Sequence, residues 1–127
     1  MDKLEYIPGD LAFHYIPKTI IKKYVKVYVC STQNALSLED MDGNLYDYIG
    51  ELYPIPLTPE ILEKNGWKKT DGFDSYWLDK IGLLQEGDTW HSALGSTKIA
   101  ITLGNILYVH QLQHLLFGLG LNSEMEV

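Results

Sequence analysis

The sequence predicts an α+β fold made mainly of antiparallel strands, a small barrel or curled sheet, with one short helix near residues 59–65 and a C-terminal amphipathic helix near 106–118. Three observations carry this. The run Tyr24–Cys30 alternates valine with tyrosine, lysine and cysteine, which is the period of a half-buried strand. Asp42-Gly43 stands between two short apolar runs, where glycine's access to positive φ suits a tight hairpin turn. After Gly104-Asn105 the apolar period changes from two to about 3.6 residues across Ile106–Leu119.

In chain order, Leu11–Ile16 is a short apolar strand ended by Pro17. In Tyr24–Cys30 the valines Val25, Val27 and Val29 share the face expected inside, and Tyr24, Lys26, Tyr28 and Cys30 share the other. Ala35–Leu38 and Leu45–Ile49 flank the Asp-Gly turn as a hairpin. Pro54 and Pro56 then hold an extended arm. Thr58 is a good N-cap, Pro59 fits the first helical position and Glu60 favours the positive end of the dipole. The helix they start has two turns at most, with Ile61 and Leu62 inward, and Asn65-Gly66 ends it. Trp67–Lys69, Tyr76–Leu78, Ile81–Leu84 and Lys98–Leu103 follow as strands, broken by Thr70-Asp71-Gly72, Glu86-Gly87-Asp88 and Gly95-Ser96. Gly118 and Gly120 close the last helix, and Asn122–Val127 reads as a loose acidic tail.

With 127 residues the chain has the length of one domain, taken as residues 1–127. A chain of that size buries roughly two-thirds of the surface it exposes when unfolded, enough for its own core. The nine tyrosines exceed what such a core needs, and a ring with a hydrogen-bonding tip suits a wet cleft or an interface. The net charge of −7 works against binding nucleic acid or an anionic membrane. All ten basic residues are lysine, so the planar fork that reads phosphate and guanine is missing. One cysteine, Cys30, excludes an internal disulfide and a cysteine-based zinc site. With a charged start at Met1–Glu5 and no long apolar run, a cytoplasmic protein without a membrane partner is expected.

On a helical wheel, Tyr108, Val109, Leu112, Leu115, Leu116 and Leu119 form the core stripe of the last helix. His110, Gln113, His114 and Phe117 lie together opposite it, with Gln111 beside them. Histidines at i and i+4 can share a metal ion, but Gln111 stands where the metalloprotease helix motif carries glutamate, and no third ligand can be named. No metal is therefore assigned. The His110/Gln113/His114/Phe117 face is read as a contact surface for another chain, since aromatic residues are enriched at interfaces.

Lys18, Lys22, Lys23 and Lys26, interleaved with tyrosines, mark either a solvated strand edge or an anion site. Tyr24, Lys26 and Tyr28 form the candidate ligand face, suited to a small anionic or nucleotide-like ligand. Asp40-Met41-Asp42-Gly43-Asn44, with Glu51 at the twelfth position, approaches a calcium loop. Its glycine is fourth where the motif needs it sixth, and its flanks read as strands, so a hairpin turn fits better. Cys30 beside His14 or His91 is better read as a packed apolar residue than as a nucleophile. No phosphate loop, dinucleotide fingerprint or serine elbow is present, so neither catalysis nor a cofactor is expected.

Two segments carry a resemblance: Ile55–Trp67 (IPLTPEILEKNGW) and Tyr108–Phe117 (YVHQLQHLLF). Together they resemble a family of small proteins without an established activity, common in Bacteroidetes genomes and in their phages and mobile elements. In that family the position of His114 is usually asparagine, with an aromatic soon after. The resemblance implies a bacterial or phage cytoplasmic setting and assigns no functional residue. The expected function is a non-catalytic binding or interaction module, homo-oligomeric. The alternative is a phage counter-defence protein that sequesters a small nucleotide signal.

Overall fold

The computed structural model describes residues 6–30, 35–70, 74–95 and 100–127. The Val29 and Cys30 side chains, the Asp71-Gly72 break, Ser96 and the strand start at Lys98 lie outside the described residues. The fold is α+β, with nine strands and two helices among the described residues.

Strands β1 (Leu11–Tyr15), β2 (Lys22–Cys30), β3 (Ala35–Asp40) and β4 (Leu45–Ile49) form one antiparallel sheet in sequence order. The turn between β3 and β4 is closed by Asp40, whose carboxylate accepts from the backbone N–H groups of Asp42 and Asn44 at 3.0 and 2.9 Å, with Gly43 at φ 87°. This sheet is strongly curled. Flat strands about 4.8 Å apart would hold β1 and β4 some ~14 Å from each other. Yet His14 on β1 meets two tyrosines of β4: its Nε2 lies 2.7 Å from the Tyr46 hydroxyl, and its ring stacks 4.5 Å from that of Tyr48. Inside the curl, Val25, Val27 and Leu38 pack under Tyr6, Tyr46, Tyr48 and Leu52.

A second antiparallel sheet holds β5 (Lys68–Lys69), β6 (Ser75–Leu78), β7 (Ile81–Glu86), β8 (Thr89–Gly95) and β9 (Ala100–Ile106), again in sequence order. The expected antiparallel β-rich α+β architecture is present, built as two sheets with no closed barrel among the described residues, the first of them curled. β8 was not anticipated. Its sequence, TWHSALG, alternates buried Trp90 and Ser92 with more exposed partners, but the buried serine hides the apolar period.

The proline arm joins the two sheets. Phe13 and Tyr53 exchange backbone hydrogen bonds of 3.0 and 2.8 Å, which lays the arm on the free edge of β1. Two residues on, Ile55 C=O accepts from Val109 N–H, and two further on Leu57 N–H donates to Leu107 C=O. Trp90 is fully buried, and its indole N–H donates to Leu57 C=O at 3.0 Å. Helix α1 (Pro59–Lys64) follows, capped by the Thr58 hydroxyl accepting from Ile61 N–H. It ends at Gly66 (φ 88°), with Trp67 N–H reaching back to Leu62 C=O.

Helix α2 (Val109–Gly118) packs Val109, Leu112 and Leu116 into the main core with Leu11, Phe13, Ile55, Leu57, Leu62, Trp90 and Ile106. Leu115 only flanks that core and Leu119 is exposed, so the stripe is narrower than the wheel predicts. The Gln111 side chain accepts from Leu107 and Tyr108 N–H and closes the first turn. The tail is not loose. Met125 enters the core, and Asn65 grips Glu126, its carbonyl oxygen accepting from Glu126 N–H and its amide donating to Glu126 C=O, both at 2.7 Å. No helix among the described residues is long and apolar enough to cross a membrane.

The polar side of α2 is buried as well. Gln113 is 3% exposed, and its oxygen accepts from Leu11 N–H at 2.8 Å. Its amide donates to Gly9 C=O at 3.0 Å and to Ser123 C=O at 3.1 Å. Loss of such an amide leaves backbone groups without partners, at about 1–3 kcal/mol for each buried one. By comparison the Lys23–Asp40 ion pair, 3.7 Å long and partly exposed, contributes under about 1 kcal/mol. Gln113→Leu is expected to lower unfolding stability by about 3 kcal/mol in urea titration, and Lys23→Ala by less than about 1 kcal/mol.

Candidate functional site

Residues Ile7-Pro8-Gly9-Asp10 form a turn in which Asp10 N–H donates to Ile7 C=O at 3.0 Å, with Gly9 at φ 97°. Proline and glycine at the two central positions are what a type II turn requires. Backbone bonds between Gly9 or Asp10 and Val27 (2.7 and 2.8 Å) pin this turn to β2. The Asp10 side chain is 2% exposed and lies against α2, where its Oδ2 accepts from Ile7 N–H at 2.9 Å and meets His114 Nε2 at 2.7 Å. Burial pushes the Asp10 carboxyl above the usual carboxylate range, while the Ile7 N–H and His114 pull it back.

Between this turn and α2 lies a cleft of about 310 Å³. Its floor is polar, made of Asp10, Gln113 and His114; its rim is apolar, made of Ile7, Pro8 and Phe117. Phe117 is 68% exposed and Ile7 40%. Nothing in the core holds the Phe117 ring.

The helix face expected to meet another chain is therefore divided. His110 (2% exposed) and Gln113 are buried inside this chain, His114 is half-buried and bonded to Asp10, and Phe117 is presented outward. The wheel ordered these residues around the axis correctly, but it cannot say that a second layer, the 6–11 segment, covers that side. The two histidines do not form a ligand pair: their rings sit edge to face at 5.6 Å, with His114 Nε2 taken by Asp10. His110 packs 4.7 Å from the Tyr6 ring, and its Nδ1 has no hydrogen-bond partner among the described residues.

The Tyr24, Lys26 and Tyr28 side chains are exposed or half-buried on β2. The fold does not gather them into a pocket. Tyr24 leans on Phe13 at 6.1 Å, and Lys26 stands across from Glu39 in the strand register. Tyr28 falls within a bulge and lines a shallow surface hollow with Ser37 and Asp47. Lys26 and Tyr28 thus each stand near a carboxylate, Glu39 and Asp47, that would repel an anionic ligand. His14 and His91, weighed as partners for Cys30, are bonded elsewhere, His14 to Tyr46 and His91 to Asn105 and Glu86. Asp10 was missed in the sequence, though Pro8-Gly9 before it is a readable turn signal.

No family model, curated protein or solved structure matches the chain, so no relative's residues or activity can be carried onto this cleft.

Burial and the neighbouring His114 lower the His110 pKa from 6.5 to about 4. A histidine shifted downward on folding binds its proton more readily in the unfolded chain, so its stabilising contribution is present above pH 6.5 and is lost as pH falls towards 4. Asp10, shifted upward, offsets part of that loss. Thermal unfolding across this window is expected to show a falling Tm with acidification, worth about 3 kcal/mol at most. His110→Phe is expected to flatten that slope.

Proposed function

We propose that the chain is a non-catalytic interaction module that assembles with further copies of itself, and that the cleft rimmed by Phe117 is its contact surface. One observation carries the reading: a phenylalanine 68% exposed on an otherwise well-packed helix, at the lip of a cleft. Exposed aromatic side chains beside a concavity are what interfaces use as anchors. The size of the cleft points the same way. A volume of about 310 Å³ stands at the lower limit of small-molecule sites, which run from about 300 to 1,000 Å³, and fits a side chain better than a cofactor. A bacterial phage or mobile-element setting rests on the two-segment resemblance.

Sequestration of a small nucleotide signal has the exposed Tyr24 and Tyr28 rings in its favour and Glu39 opposite Lys26 against it. A thermal-shift series with cyclic nucleotides decides this; a stabilisation lost in Tyr24→Ala restores that reading.

For self-assembly, light scattering on the purified wild type is expected to give a multiple of the monomer mass. Phe117→Asp is expected to give a monomer with unchanged Tm. A wild type that stays monomeric at high concentration removes the proposal.

A further inference from the structure

The turn between β1 and β2 is as exposed as Phe117 and far from it. Ile20 is 92% exposed, and Ile21 and Ile16 beside it are exposed as well. The tip is nevertheless well fixed. Thr19 N–H and its hydroxyl both donate to Ile16 C=O, at 3.0 and 2.8 Å, and the same hydroxyl accepts from Ile21 N–H at 3.1 Å. Lys18 holds a left-handed backbone, φ 63°, at the place in a Pro-X turn where glycine would be free of strain. The turn therefore presents an aliphatic apex with a lysine beside it.

Lysine is concentrated in the sequence around this apex, with Lys23 paired to Asp40 at 3.7 Å and Lys26 opposite Glu39. Residues 11–38 contain Lys18, Lys22, Lys23 and Lys26 and no aspartate or glutamate, in a chain whose acidic residues total 17. The cleft is the opposite. Asp10 lies on its floor, Glu124 follows Ser123 of its wall, and the last turn of α2 carries no basic residue against the negative end of its dipole.

We infer that the occupant of the Phe117 cleft is the Ile20 tip of a second copy, with Ile20 on the apolar rim and Lys18 or Lys22 towards the acidic end. This inference rests on the self-assembly proposed above and names its geometry. The tip cannot fill the cleft of its own chain. Asp10 and Ile16 are the flanks of β1, six residues apart, which in an extended strand is about 20 Å. Tip and cleft stand at opposite ends of one strand, so each contact pairs the tip of one copy with the cleft of another.

The test is light scattering on two variants, alone and mixed. Ile20→Asp keeps its cleft and loses its tip; Phe117→Asp keeps its tip and loses its cleft. Both positions are exposed, and an unchanged Tm verifies folding of each. Each variant alone is expected to be monomeric, and an equimolar mixture is expected to form a complex of two chains and stop there. Assembly that survives Ile20→Asp but not Phe117→Asp overturns the inference and leaves self-assembly through the cleft intact. A mixture that stays monomeric also overturns it. Assembly that survives Phe117→Asp, or a wild type that never assembles, removes the underlying proposal itself.

Discussion

The amide of Gln113 ties helix α2 to the segment that leads into the first sheet. Helix α2 is a wedge with two buried sides. Its leucines face the core shared with the second sheet, and its polar side faces the segment that leads into β1. A helix can lie between two sheets only if the backbone groups it shields from water find partners. Gln113 supplies partners for three, belonging to Leu11, Gly9 and Ser123. Asp10 adds the next contact along the same side through His114. These polar bonds give direction where apolar packing alone would allow α2 to slide or rotate.

Much of the local structure was legible in the sequence because its causes are local. Val25 and Val27 of β2, the Asp-Gly turn and the cap-to-glycine run from Thr58 to Gly66 each carry their reason within a few residues. What was not legible depends on partners far along the chain. Gln113 meets residues 102 and 104 positions away, and Asn65 meets Glu126 across 61. No period or motif encodes such a pairing. The wheel read the polar side of α2 as an outer surface because burial of a glutamine and a histidine is normally costly. Gln113 escapes that cost by pairing, while His110 remains neutral at ordinary pH because burial holds its pKa near 4. The cleft was half visible: Phe117 stood out as an aromatic on the wrong face, whereas Asp10 gave no signal of its own.

The distribution of charge changes what the total implies. A net charge of −7 describes a chain repelled by its own copies at long range. Four of the ten lysines, however, lie between residues 18 and 26, and the cleft has a carboxylate and a helix end with no basic residue in its last turn. At short range, within a Debye length of about 8 Å at physiological salt, local complementarity outweighs the net term. Association driven this way tolerates a like net charge and is selective in orientation.

The proline arm has a role beyond linking the sheets. Where Tyr53 bridges to Phe13, the arm occupies the outer edge of β1, the edge at which another strand would otherwise add. Pro54 and Pro56, one and three residues after it, have no N–H to offer, so the arm cannot itself become the template for a further strand. The curled sheet is therefore terminated on that side, protected from the indefinite edge-to-edge growth that leads to amyloid-like aggregation.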